Sequence, residues 1–374
     1  MDKHIAVLAG DGIGPEVMEH ALRVLTTVAD KFGHRFSTTH ALVGGAAYEK
    51  HETHLPEETK SVCRSSDAIL FGSVGGPVSE MNLPKWKNCE ASSILSLRKT
   101  FKFNANYRPV KVIPELEYLC PLKKEVIDRG VDILFLRELL GDCYFGEHRT
   151  FNSENGVRTA TDMIVYDEEQ IASIAETAFK AAQKRRGKVT SVDKANVLDA
   201  SKLWRTVVKE VSLGYPNVVL EDMLVDNCAM QLVRDPSQFD VVLTGNMFGD
   251  ILSDAAAVLP GSLGLLASAS INKDGFGLYE PPGGSAQDIA GTGTANPIAQ
   301  ILCVALLLRY SFDMEAEARA IETAVETTLK EGYRTRDIVR AGEPDQKIVD
   351  TRGMADKILE HLLAITVPST ASCG

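Results

Sequence analysis

Short uninterrupted apolar runs alternate along this chain with longer stretches in which apolar residues recur every third or fourth position. Ile5 to Ala9 is a run of the first kind, followed by Gly10 to Gly14 and then Pro15. Proline suits the first turn of a helix, where an N–H would have no intrahelical partner anyway. Val17, Ala21, Val24, Val28 and Phe32 then fall on one helical face, and Gly33 can close the helix in the left-handed conformation. The same patterns predict strands at 68–71, 133–136, 163–165, 189–192, 218–220 and 241–243. Helices are predicted at 168–186, 223–234, 247–258, 297–310, 315–329 and 354–364. Such alternation implies an α/β architecture with a mostly parallel sheet. The stretch from Gly261 to Gly293, rich in Gly, Ser, Pro and Ala, is expected to be a functional loop, and Pro368 to Gly374 a frayed tail.

Composition narrows the classes. A length of 374 residues suggests two domains, and 44% hydrophobic with 24% charged residues is an ordinary globular balance. With 40 basic against 51 acidic residues the chain carries a formal charge of −11, which argues against a nucleic-acid partner. No apolar run is long enough to span a bilayer, and the opening Met1-Asp-Lys-His-Ile-Ala enters a strand pattern directly, so a cytoplasmic protein without a membrane partner is expected. Seven scattered cysteines without a C-x-x-C pair predict free thiols rather than disulfides or structural zinc.

Four groups of residues carry candidate chemistry. Gly10-Asp-Gly-Ile-Gly-Pro15 approaches a dinucleotide fingerprint but has proline where G-x-G-x-x-G requires glycine, so it is either a tight strand-to-helix turn or a ligand-facing loop. Glu280-Pro-Pro-Gly-Gly-Ser-Ala-Gln-Asp-Ile-Ala-Gly291 lets backbone approach a nucleotide closely. Asp288 there can accept from a ribose diol and would repel a 2′-phosphate, which favours NAD. Asp250 and Asp254 lie one helical turn apart, a spacing that suits Mg²⁺ or Mn²⁺ and equally two aspartates favouring a helix N-terminus. Asp222 and Asp226 repeat the spacing. Arg98, Arg108 and Arg137 sit in apolar surroundings and, if convergent, would grip a dicarboxylate; Arg137 has Glu138 beside it as an alternative partner. Tyr144 and Lys194, at loop or strand ends, are either a half-buried tyrosine and a surface lysine or groups that transfer protons.

Taken together, these segments resemble the β-decarboxylating dehydrogenases, the isocitrate/isopropylmalate dehydrogenase family, from Gly10-Asp-Gly-Ile-Gly-Pro-Glu16 to the helix after Asn296. The resemblance implies a two-domain α/β fold with a central mostly parallel mixed sheet, not a Rossmann fold. The first domain would comprise 1–103 and 258–374 on the cofactor side, the second 104–257 with the metal and the dimer interface. It implies that Arg98, Arg108 and Arg137 hold the malate carboxylates. Asp226, Asp250 and Asp254 would bind Mg²⁺ or Mn²⁺, and Tyr144 and Lys194 would do acid–base work. Asp226 and Lys194 would come from the partner subunit of a homodimer with shared sites. Asp288, Ile289 and Asn296 match adenosine-binding positions where NADP-specific members carry a Lys-Tyr type pair. Ile13, Gly75, Gly76, Glu280, Gly284, Ser285 and Ala286 are further expected cofactor contacts.

Substrate choice in the family turns on the residues before the first arginine. Ile94 and Leu95 offer an apolar surface suited to an isopropyl group, although Ser92 matches the serine of isocitrate enzymes; Glu90 resembles the glutamate beside the γ-moiety and nicotinamide. The implied reaction is NAD-dependent oxidative decarboxylation of (2R,3S)-3-isopropylmalate to 4-methyl-2-oxopentanoate, in leucine biosynthesis. D-malate, tartrate, homoisocitrate or isocitrate are alternative substrates, and a non-catalytic regulatory paralogue is the alternative from another class. Three departures touch the cofactor loops: Val78-Ser-Glu after Gly75-Gly-Pro77, with Pro-Lys-Trp only at 84–86; Gln287 where proline usually precedes the aspartate; and Thr292 in place of a common lysine.

Overall fold

A computed structural model describes residues 1–342 and 346–366; the predicted tail at Pro368–Gly374 lies outside the described residues. The strands are β1 (Asp2–Gly10), β2 (Arg35–His40), β3 (Ala68–Ser73), β4 (Ala105–Lys111), β5 (Asp132–Glu138), β6 (His148–Asn152), β7 (Arg158–Asp162), β8 (Lys188–Asp193), β9 (Val219–Leu224), β10 (Val241–Thr244), β11 (Ser268–Ile271) and β12 (Gly277–Glu280). All of these but the β6–β7 hairpin join one ten-stranded sheet in the order β2-β1-β3-β12-β11-β4-β5-β10-β8-β9, and a further two-residue pair, Tyr333–Arg334 with Lys347–Ile348, lies outside it. Pairing is parallel on both flanks and antiparallel only at β12–β11, β11–β4 and β4–β5, in the middle. Strands from residues before 104 and after 257 fill one half, and those from 104–257 fill the other. They meet at β11–β4.

Helices cover both faces of the sheet, and that explains the uninterrupted apolar runs. Alternate residues of β1 enter different cores: Ile5 and Val7 pack with the helices Gly14–Phe32 and Ile298–Tyr310, while Ala6 and Leu8 pack with Phe71, Leu97 and Phe103. In β5, Leu134 and Leu136 face the helix Glu168–Gln183 and Ile133 and Phe135 face the opposite core. The helix Gly14–Phe32 runs as its periodicity requires, with Pro15 in its first turn and Gly33 at φ 72° donating to the Ala29 carbonyl. The helix Glu168–Gln183 begins on a reciprocal cap: Asp167 accepts from Gln170 N at 2.7 Å and the Gln170 side chain accepts from Asp167 N at 3.2 Å.

Several predicted boundaries move. Residues 163–165 form no strand; the chain pairs one turn earlier, as β7 against β6, both almost wholly exposed and polar. β9 extends to Leu224, so the following helix is Val225–Arg234 and not 223–234. The stretch 261–293 contains the antiparallel pair β11–β12, buried in the middle of the sheet, and is not one continuous loop. Six cysteines are free thiols, and Cys373 is outside the described residues. Among the described residues no helix is long and apolar enough to cross a membrane.

Candidate active site

β4 and β5 present the arginines. Arg137 sits directly across from Asn106 in their antiparallel register, and Arg108 lies two residues further along the same face. The helix Asn246–Ala256 lies against this face. Gly249 permits the close approach, since a Cβ there would stand 2.7 Å from Arg137 Cγ. Asp250 and Asp254 therefore point at the arginines. Arg137 Nη1 is paired with Asp250 Oδ1, and its Nε and Nη2 both donate to Asn246 Oδ1 at 3.0 and 2.8 Å. Arg108 Nη1 is paired with Asp254 Oδ1 and donates to Ser253 Oγ at 2.9 Å, while its Nη2 lies 3.6 Å from Asp250 Oδ1. One guanidinium thus touches both carboxylates, which places the two anionic groups within reach of a single positive centre.

Arg137 is only 2% exposed. Burial pushes its guanidinium down to about 10; Asp250 opposes that shift, and the charges of Arg108 and Arg98 add to it. The charges of Arg108 and Arg98 thus reach Arg137, which remains a cation at neutral pH. Its sequence neighbour Glu138 is not its partner: adjacent strand residues point to opposite faces, and Glu138 accepts from Leu140 N and Gly141 N at 2.6 and 2.7 Å instead. Arg98, on the short helix Ser96–Thr100 of the other half, donates from Nη2 to Glu280 Oε1 at 3.1 Å, and its buried Nε has no hydrogen-bond partner among the described residues.

Tyr144 lies on the loop after β5. Its hydroxyl donates to Asp250 Oδ2 at 2.8 Å and its ring centroid lies 5.5 Å from Arg137 Cζ. Burial and the hydrogen bond to Asp250 push the phenol up to about 12, so it keeps its proton at neutral pH. Lys194, just past β8, donates to Asp226 Oδ1 at 2.6 Å. That hydrogen bond holds the Asp226 carboxyl below its usual range. Asp222 does not join Asp226 on a helical face, because it is still in β9 and lies 3.9 Å from Arg205. Arg108, Arg137, Tyr144, Asp250 and Asp254 thus form one group, with Arg98 near it, and Lys194 with Asp226 forms another. Among the described residues no set of three or more His, Cys, Asp or Glu is placed to hold a metal ion.

The residues before Arg98 form a π-helical turn, Ala91–Leu95. Ile94 is packed into the core beside Val74, Trp86 and Cys89, and Leu95 is half-buried. Glu90 is exposed, and a Cβ on Gly75 would lie 3.7 Å from Glu90 Oε1 and 3.9 Å from Ser285 Oγ, so these three residues gather at one place.

A cavity of about 340 Å³ is lined by Ile13, Gly284, Ala286, Ile289 and Asn296 among the predicted cofactor residues. Asp337, which sequence reasoning passed over, also lines it and accepts from Asn296 Nδ2 at 3.0 Å and Ser262 Oγ at 2.5 Å. Asp288 is exposed in the same loop, whereas Glu280 is engaged with Arg98. A second cavity of about 260 Å³ is lined by Arg108, Ser253, Asp254 and Pro282 and shares Leu263 with the first. The larger of these two spaces therefore adjoins the one beside the arginine–aspartate group.

The departures in the loops have visible partners. Gln287 Nε2 donates to the Gly75 carbonyl at 2.7 Å, and Ile13 N donates to the Ser285 carbonyl at 2.9 Å, so three loops are stitched together. Gly12, at φ 59°, has no room for a side chain, because a Cβ would meet the Ser285 carbonyl oxygen at 1.9 Å. Thr292 donates to the Ile289 carbonyl at 2.7 Å. Val78–Glu80 is an exposed turn, after which Trp86 returns to cover Gly76.

The sequence profile of the isocitrate/isopropylmalate dehydrogenases matches residues 4–358. The chain is 52% identical over 363 residues to a 3-isopropylmalate dehydrogenase of Clostridium pasteurianum, spanning 96% of this chain and 99% of that one. It is 52% identical over 359 residues to a 3-isopropylmalate dehydrogenase of Escherichia coli strain K12, spanning 96% and 98%. Among solved structures, the isocitrate dehydrogenase of Methylococcus capsulatus superimposes with a TM-score of 0.83 at 32% identity, covering 96% of this chain and 99% of that one. The matched span takes in both halves of the sheet and every residue of the two groups, and the chain belongs to the isocitrate/isopropylmalate dehydrogenase family.

Proposed function

We propose that the chain catalyses NAD-dependent oxidative decarboxylation of (2R,3S)-3-isopropylmalate to 4-methyl-2-oxopentanoate, a step of leucine biosynthesis. The observation that carries this reading is the gathering of Arg108 and Arg137 with Asp250, Asp254 and Tyr144, in a chain about half identical to relatives named for that reaction. Leu95, half-buried in the turn before Arg98, is the apolar group available to a branched alkyl substituent. The buried unpartnered Nε of Arg98 is a donor suited to a substrate carboxylate.

The donor set fits a hard dication: carboxylates only, two of them sharing one guanidinium, and a third, Asp226, elsewhere on the surface. Asp250, Asp254 and the Asp226 of a second copy would hold Mg²⁺ or Mn²⁺. The cavity around Ile289 and Asn296 would hold NAD, with Asp288 set against a 2′-phosphate. When bound, these groups supply Lewis acidity at the substrate oxygen and a hydride acceptor.

The chain's own residues do the rest. The arginines fix the two carboxylates, so that C2 is held in one orientation. Lys194 takes the hydroxyl proton, through water, as hydride leaves C2. Carbon dioxide then departs from C3, and Tyr144, protonated at neutral pH, donates to the enolate carbon.

Two polypeptides build each site in this reading, because Lys194 and Asp226 stand apart from the group they must join. A homodimer is further supported by Met230 and Val233 on the helix Val225–Arg234, and Ile251 and Val258 on or just past the helix Asn246–Ala256, all more than half exposed. The two halves of the sheet act as domains 1–103 with 258–374 and 104–257, with the site between them. A cytoplasmic location fits the free thiols. The test is NADH formation from isopropylmalate, NAD and Mg²⁺, abolished by EDTA. Turnover of isocitrate or D-malate in preference to isopropylmalate overturns the substrate assignment.

A further inference from the structure

Asp142 takes a backbone conformation uncommon outside glycine, asparagine and aspartate. Its φ is 70°, in the left-handed region where glycine is at ease, yet it is an aspartate only 4% exposed. Such a residue persists where its side chain is needed, and the Asp142 carboxylate is fully used. Oδ1 accepts from Cys143 N at 2.8 Å, and Oδ2 accepts from Tyr166 OH and from Met247 N, both at 3.1 Å. Met247 lies in the first turn of the helix Asn246–Ala256, whose N-cap is Gly245 and provides no side-chain acceptor. The neighbouring Asn246 N donates to Tyr166 OH at 2.7 Å. Two N–H groups that a helix start leaves without intrahelical partners are therefore satisfied from outside the helix, by Asp142 directly and by the tyrosine it holds.

The three elements joined at this point are chemically unequal. The helix carries Asp250 and Asp254, and its Asn246 also holds Arg137. Tyr144 is two residues beyond Asp142 on the loop that Glu138 pins through Leu140 N and Gly141 N. Tyr166 belongs to the segment leading into the helix Glu168–Gln183. Asn246 Nδ2 closes the ring by donating to the Gly141 carbonyl at 3.2 Å. The Tyr144 loop thus meets the helix through Tyr144–Asp250, which is exposed, and through the part-buried bond from Met247 N to Asp142 Oδ2.

We propose that Asp142 is a positioning residue, whose carboxylate fixes the Tyr144 loop and the aspartate-bearing helix in one relative placement. The inference rests on the reaction proposed above, in which Tyr144 and Asp250 serve the same substrate. Asp142→Gly removes the carboxylate and relieves the backbone at the same time, so it separates the two roles. It is expected to lower kcat by about tenfold or more while leaving the KM for NAD, bound in a separate cavity, within about twofold. In hydrogen exchange read by mass spectrometry, amides of 139–145 and of 246–250 should speed up together, with β5 unchanged. Asp142→Asn keeps the shape and one acceptor oxygen, and should recover part of the lost kcat.

Tyr166→Phe, which removes only the hydroxyl between Asp142 and Asn246, should give the same pattern in weaker form. Wild-type kcat within twofold for Asp142→Gly overturns the proposal. So does faster exchange in only one of the two segments, or an Asp142→Gly chain that fails to fold while Tyr166→Phe has wild-type kcat and exchange. The exchange measurement needs no substrate. Failure of the wild type to oxidise isopropylmalate would therefore count against the reaction and leave the test of Asp142 intact.

Discussion

Lys194 is bonded to Asp226 and Tyr144 to Asp250, and among the described residues no hydrogen bond or ion pair joins the two groups. If catalysis needs both, a site must take Lys194 from one chain and Tyr144 from another, and subunit mixing measures this directly. Lys194→Ala and Tyr144→Phe each delete one of the proposed proton-transfer groups, an effect of roughly 10²–10⁴ in rate, so each parent dimer should turn over at about 1% of wild type or less. Mixed at equal amounts and allowed to exchange subunits, about half the dimers carry one chain of each kind. In such a dimer one site receives both substitutions and the other receives neither. About a quarter of the wild-type number of intact sites therefore returns, well above either parent. NADH formation, followed through dissociation and reassociation, reads the recovery. Activity no greater than the mean of the two parents would show that each site is built within one chain, and the assignment of Lys194 and Asp226 to a neighbour would fall.

Four further outcomes are expected. If Asp250 is a metal ligand as proposed, Asp250→Asn should raise the Mg²⁺ needed for half-maximal activity by about tenfold or more, because an anionic ligand becomes neutral. Burial is the main cause that pushes Tyr144 up, and the same change withdraws the Asp250 charge that adds to it, so ultraviolet titration should find its phenol ionising at lower pH than in the wild type. Burial raises the Glu138 carboxyl from 4.5 to about 7, so its contribution to stability is fully present below about pH 4.5 and is lost as pH rises through about 7. Denaturant midpoints of wild type and Glu138→Gln should therefore shift against the wild type across that window, by on the order of 3 kcal/mol, and a pH-independent difference contradicts the burial argument. Replacing Asp288 and Ile289 by Lys and Tyr should move the ratio of kcat/KM for NAD over NADP toward NADP by about tenfold or more, measured with both cofactors at saturating acid.

What could be read from the chain followed the physics of burial. β1, β3, β5, β8 and β10 are covered on both faces, so their apolar runs stand out. β2, β6 and β7 lie at the edge or off the main sheet, where polar side chains are free to face water, and they leave no such signal. β11 is hidden for the opposite reason. Its Ser268 and Ser270 are buried, and their polarity is absorbed by the Glu280 carbonyl and Asn106 Nδ2, partners that no local pattern reveals. The same holds for Asp337 and Asp142, whose roles come from contacts far along the chain.

The two aspartate pairs show what spacing can and cannot carry. Asp250 and Asp254 face one way because both lie within the helix Asn246–Ala256, where a four-residue step is one turn. Asp222 and Asp226 have the same step but straddle the end of β9 at Leu224 and the start of a helix at Val225. A boundary two residues later than the apolar pattern suggested therefore sends Asp222 toward Arg205 and Asp226 to Lys194. That separation is what leaves Asp226 and Lys194 available, side by side at the surface, to complete a site in another copy of the chain. The boundary at Val225 thus matters more to the proposed chemistry than the spacing that first drew attention to these residues.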